Sequence, residues 1–146
     1  MNVLVEAATA VETALNAGTF SLAFTAVRKY RPVYQLEDMG TLHVTVAGAQ
    51  ITITTPARGV RRYELRVDVG VQLKPEADTN ELLDPLSDLL EEIVNHFAGL
   101  EILPDTDICW VGAVNAPAYS YEHLDRWGQF TGVVGLLFKA QRRVTA

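Results

Sequence analysis

Few side chains in this sequence are of a type that does chemistry, and their spacing is wrong for most of it. There are three histidines, His43, His96 and His123, and a single cysteine, Cys109. Two pairs of acids stand close in sequence, Asp105 with Asp107 and Glu91 with Glu92. A zinc site needs several His, Cys, Asp or Glu ligands brought together, and no spacing here matches a ligand pattern. A catalytic cysteine needs exposure and a lowered pKa; Cys109, between Ile108 and Trp110, reads as a buried structural thiol. Paired carboxylates can do acid–base work. Asp105 and Asp107 follow Pro104 in a loop, and Glu91 and Glu92 sit on the wet side of a helix, so solvated charge is the simpler reading. His96, near the end of that helix, reads as a dipole contact or cap. The sequence has no Gly-rich phosphate loop, no G-x-S-x-G elbow and no His-Glu-x-x-His. The expectation is a protein without catalytic residues, metal or cofactor, which presents surfaces instead.

Two kinds of segment could form such surfaces. Residues 35–41, with Glu37 and Asp38, and residues 55–62, with Arg58, Arg61 and Arg62, carry charge, Gly and Pro and little to bury. Loops of that kind on a rigid sheet are where binding usually resides. The arginine group either meets an acidic partner or is merely solvated. Tyr119, Tyr121 and Trp127 lie among Glu122, His123, Asp125 and Arg126 in a stretch that reads as a loop. They are either a satellite core or an interface anchor, since Tyr, Trp and Arg are the usual hot-spot types.

The elements that must position these groups follow from periodicity. From 63 to 73 the residues alternate: Tyr63, Leu65, Val67, Val69, Val71 and Leu73 face one way, and Glu64, Arg66, Asp68, Gly70 and Gln72 the other. That is a long strand with one buried and one wet face. Leu82, Leu83, Leu86, Leu89, Leu90, Ile93, Val94 and Phe97 then recur at three- and four-residue steps, a helix stripe. Its start is either at Asp78, with Glu81 as a capping box, or, as favoured here, at Asp84 with Pro85 in the first helical position; Gly99 ends it. Residues 2–17 form an earlier helix capped by Gly18. A strand is expected through Phe20, Leu22, Phe24 and Ala26, breaking register near Val27 and continuing to Pro32. A hairpin is expected over Leu42, Val44 and Val46, turning at Ala47-Gly48-Ala49 and returning through Ile51 and Ile53. Leu100 and Ile102 begin another extended stretch. Strands at 108–114 and 130–138 complete the chain. Helix, about four strands, helix, then two strands indicates an α+β domain with a mainly antiparallel sheet and both helices on one face.

At 146 residues the chain makes one domain with a real core, and at 49% hydrophobic residues disorder is not the default. The longest apolar runs are far short of a membrane span. The start, Met-Asn-Val-Leu-Val-Glu, lacks a basic n-region, so no secretory signal is expected. One cysteine allows no intrachain disulfide, which fits a reducing cytoplasm. The net charge of −6 argues against gripping nucleic acid by its phosphates. That charge is unevenly divided. Arg28, Lys29 and Arg31 cluster, as do Arg58, Arg61 and Arg62, and Lys139, Arg142 and Arg143. The acids Glu76, Asp78, Glu81, Asp84, Asp88, Glu91 and Glu92 gather in and before the second helix.

Two stretches together carry a resemblance. One is 62–72, Arg-Tyr-Glu-Leu-Arg-Val-Asp-Val-Gly-Val-Gln, leading into the leucine-rich helix. The other is Tyr121-Glu122-His123-Leu124, then Phe130-Thr131-Gly132-Val133-Val134 running to Arg142 and Arg143. With the N-terminal helix and the opening strand, residues 1–143 resemble the small neck and tail proteins of long-tailed bacteriophages, above all the tail terminators. The resemblance implies an α+β virion subunit that forms a ring, a hexamer, capping the tail tube and joining it to the head-side connector. DNA would pass through the ring without being specifically bound, and assembly would take place in the host cytoplasm. The family has no catalytic residues to carry over. Another neck, tail-completion or minor tail role on the same kind of fold is the first alternative, and a small ligand-binding or enzymatic α+β domain the second.

Overall fold

Alternation decides the sheet. The structure, a computed structural model, describes residues 2–30, 40–115 and 118–144. In chain order its elements are α1 (Val3–Ala17), β1 (Ala26–Arg28), β2 (His43–Ala57), β3 (Val60–Leu73), α2 (Asn80–Leu100), β4 (Cys109–Val114), α3 (Tyr121–Trp127) and β5 (Phe130–Arg143). The strands form one sheet in the order β1-β2-β3-β5-β4. All neighbours are antiparallel except β1, which runs parallel to β2. The α+β class and the mainly antiparallel sheet are as expected. On β3, Leu65, Val67, Val69 and Val71 are buried, the inward half of the alternation.

Both long helices lie on that inward face. Asn2 starts α1 by accepting the Val5 N–H at 2.8 Å, and Val3, Ala7, Ala8, Val11, Ala14 and Leu15 are buried against β1, β2 and β3. On α2 the buried stripe is Leu86, Leu89, Leu90, Ile93 and Phe97, packed on β5 and β4. Close approaches show the shared face. A Cβ on Gly132 would stand 2.5 Å from Leu90 Cδ1, and one on Gly48 2.8 Å from Leu4 Cγ. Gly132 pairs with Val71 and Gly48 with Val67 in the ladder, and directly paired residues point the same way.

Several boundaries differ from expectation, each for a physical reason. Ala47-Gly48-Ala49 is not a turn. β2 runs through it, and Ala49 is the extra residue of a bulge between the Gly48–Val67 and Gln50–Arg66 pairs. The turn lies at Arg58-Gly59, where Ala57 pairs with Val60 and Gly59 takes φ +75, the positive φ a two-residue hairpin turn wants. Residues 55–62 are therefore a hairpin tip rather than a loop, with Pro56 at a register shift, where a strand tolerates it. Of the strand expected from Phe20 to Pro32, the described residues form only Ala26–Arg28, and Arg31 and Pro32 lie outside them. Phe20, Leu22 and Phe24 pack against the core from an irregular segment, and Tyr30 is 80% exposed. That segment is tied by side chains instead: Asn16 bonds both the N–H and C=O of Ala26, and Glu92 accepts from Ser21.

The second helix starts after Thr79, ahead of Asp84, so Pro85 sits inside it. Gly99 does not end it. The helix reaches Leu100, and Glu101 takes the cap with φ +63, held by the Trp110 N–H donating to its carbonyl at 2.7 Å. β5 continues to Arg143, well past Phe138. Part of the expected 115–127 loop is α3, which Ser120 caps by accepting the His123 N–H and left-handed Gly128 closes. No helix among the described residues is long and apolar enough to cross a membrane.

Candidate functional site

The register of three strands builds one basic arm from two separate stretches of sequence. Beyond the bulge, β2, β3 and β5 run on together to the hairpin tip. Val60 pairs with Arg143, Arg61 with Arg142 and Arg62 with Gln141, and the Val144 N–H donates to the Gly59 carbonyl at 2.7 Å. The Arg58–Arg61–Arg62 group and the Lys139–Arg142–Arg143 group thus come together on one arm. Every β2 residue from Ala49 to Ala57 is exposed, and Ile51 and Ile53 are 38% and 53% exposed. Beyond β1, β2 also has no strand on its outer side among the described residues. A paired, regular strand exposed for this length outruns the helices meant to cover it.

The arm's two faces differ. On the helix side Arg142 is anchored by Glu6 and Asp107, which offsets the cost of setting Arg61 directly opposite it, since like charges paired across strands repel. On the other side lies an open groove of about 790 Å³, bordered by Arg62, Glu64, Arg66 and Lys139 and floored by Leu137 and Val111. Val111 is 54% exposed. Arg66 Nε lies 2.8 Å from Asp68 Oδ1, and Glu64 stands across the ladder from Lys139. The alternation in 63–73 already placed Glu64, Arg66 and Asp68 on a wet face. Nothing local showed that Lys139 joins them, because its partner is set by the pairing of strands 75 residues apart.

The expected site residues divide. Arg58, at the hairpin turn, Arg61 and Arg62 are exposed and adjacent, as an interface requires. Glu37 and Asp38 lie outside the described residues. Tyr119 packs against the core, its ring 5.8 Å from Phe130 and 5.1 Å from Tyr121. Tyr121 is 67% and Trp127 38% exposed, and the Trp127 ring lies 4.8 Å from that of His123, tilted by 49°. The aromatic group is thus part core and part surface. It sits at the Phe130 end of β5, about 40 Å along that strand from the arginines, so the two candidate surfaces are separate.

The potentially reactive groups do not converge. His43 stands by Thr41, His96 packs between Phe20 and Phe97 rather than capping its helix, and His123 shares a 2.7 Å hydrogen bond with Thr131. No group of three or more potential metal ligands occurs among the described residues. Cys109 is half-buried and borders the groove, in contrast to the buried structural thiol expected. Asp107 is not simply solvated: the guanidinium of Arg142, hydrogen-bonded to it, holds its carboxyl below the usual carboxylate value. Glu91 is exposed, whereas Glu92 holds Ser21. No protein-family model matches the chain, and a comparison with curated proteins finds no match.

Proposed function

We propose that this protein is a structural subunit that closes into a homo-oligomeric ring, acting as a tail terminator in the neck of a long-tailed phage. The observation that carries the reading is the arm. An ordered three-stranded extension with an open edge, bare apolar side chains and clustered arginines is a surface made for a neighbour. Unpaired edges left in solution invite uncontrolled association, and a closed ring removes them. The resemblance in 62–72 and 121–143 supplies the rest: a hexamer, the tail tube protein on one side, the head-side connector on the other, and passing DNA that is not specifically held. The scattering of the histidines, Cys109 and the acid pairs favours a role without catalysis.

The groove favours one other reading, a small-ligand-binding domain, because charged groups border an apolar floor there. Oligomeric mass separates the two. Light scattering and electron microscopy of the protein, alone and with its tube protein, should show a closed ring. A monomer at every accessible concentration that forms no ring on the tube would overturn the proposal.

A further inference from the structure

Besides its buried stripe, α2 carries an acidic one. Glu81, Asp84, Asp88 and Glu91 follow at steps of three, four and three residues, which sets them along one side of the helix. All four are exposed. No ion pair among the described residues takes in any of them, and α2 contains no Lys or Arg. Like charges at this spacing repel, so the stripe is better accommodated against cations than alone.

Those cations lie on the opposite side of the molecule. The groove of the arm is open, floored by Leu137 and Val111 and bordered by Arg62, Arg66 and Lys139, with Arg143 on the same face at the strand end. Glu64, the Arg66–Asp68 pair and Asp107, which is itself paired with Arg142, reduce this charge without reversing it. An apolar floor with cationic sides suits a helix that presents carboxylates. The chain's own α2 cannot occupy it, because that helix packs on the other face of the same sheet.

We propose that the acidic stripe of α2 in one copy docks on the open groove of the arm in the next. The contact joins two different surfaces of identical chains, so it is head-to-tail and propagates around a ring. It rests on the ring reading above and names the surfaces that close it.

Two reversed proteins test it: Asp84→Lys with Asp88→Lys on the helix, and Arg62→Glu with Lys139→Glu on the arm. Each alone should stay monomeric by light scattering while keeping the wild-type circular dichroism. Mixed in equal amounts they should regain an even-membered ring, because every interface is again a pair of opposite charges. A third protein, Ser87→Cys, changes an exposed neutral residue beside Asp88. Under oxidation it should link to Cys109 of the next copy, giving a ladder of covalent multimers that Cys109→Ser abolishes. Reversed proteins that assemble like wild type, a mixture that stays monomeric, or assembled rings without the ladder would each overturn the contact and leave the ring reading intact. Normal rings that lose only tube binding on arm reversal would give the groove to the tube and overturn it too. A wild-type protein that never forms a ring would overturn both.

Discussion

Arg142 and Asp107, 35 residues apart in sequence, meet fork to fork: Nε donates to Oδ2 at 3.0 Å and Nη2 to Oδ1 at 2.7 Å. The same Nη2 reaches both carboxylate oxygens of Glu6, at 3.2 and 3.1 Å. One guanidinium therefore ties β5 to the turn before β4 and to the first turn of α1. It anchors the basic arm near its tip, on the helix side of the sheet, and it lets Arg61 and Arg142 stand opposite each other.

This contact gives stability a pH dependence of definite sign. Asp107 has its carboxyl lowered from 3.8 by the hydrogen bond from Arg142. A folded-state pKa below the unfolded one stabilises above the unfolded value and loses that contribution as pH falls through the folded value. Both side chains are partly exposed, so screening limits the pair to about 1 kcal/mol or less. Thermal melts of wild type and Asp107→Asn should differ near neutrality and converge in strong acid. Melts that stay equally separated at both extremes would show that charge is not the cause.

Gly132 and Leu90 should be coupled. A methyl on Gly132 meets Leu90 Cδ1 at 2.5 Å, so Gly132→Ala overpacks the core and should cost about 1–3 kcal/mol. Leu90→Ala, at a 5% exposed position, should cost about 2–5 kcal/mol. The double variant should be more stable than the sum of the two predicts, since the new methyl enters the space the leucine left. Additive losses in chemical denaturation would place the helix differently on the strand.

Glu92 and Glu91, adjacent on α2, should behave differently. Glu92 accepts from both the N–H and the hydroxyl of Ser21, so Glu92→Ala should cost about 1 kcal/mol. Glu91→Ala should fall within about 0.5 kcal/mol of wild type. Equal denaturation midpoints would show that the irregular segment after α1 does not depend on this anchor.

At the hairpin tip, Gly59→Val should destabilise by about 1–3 kcal/mol, because a β-branched residue is strained at φ +75. Gly59→Asn should be milder, since Asn tolerates the left-handed region. If the two variants matched in stability, the turn would have another geometry.

Arg58→Glu with Arg61→Glu should leave the melting temperature nearly unchanged, as exposed charges contribute little. Assembly should weaken in this protein, and wild-type assembly should weaken as salt rises. Normal tube capping by the reversed protein would remove these two arginines from the interface while leaving the ring proposal standing.

Periodicity alone determined much of this protein. The alternation in 63–73 gave β3 and its buried face, the leucine stripe gave α2 and the side it buries, and the small apolar residues of 3–15 gave α1. These are local signals, because a side chain's direction follows from its place on the chain. Tertiary structure decided which elements meet. The inward residues Val44 and Val46 and then Ile51 and Ile53 change phase around Gly48, and a bulge produces that shift as readily as a turn. Only pairing with β3 distinguishes the two. The arginines at 58–62 were legible as a candidate site, but their union with Lys139 and Arg143 was not, since strand register depends on turn geometry and on the buried face of a distant partner. Alternation states which way a residue points; the fold decides what it points toward.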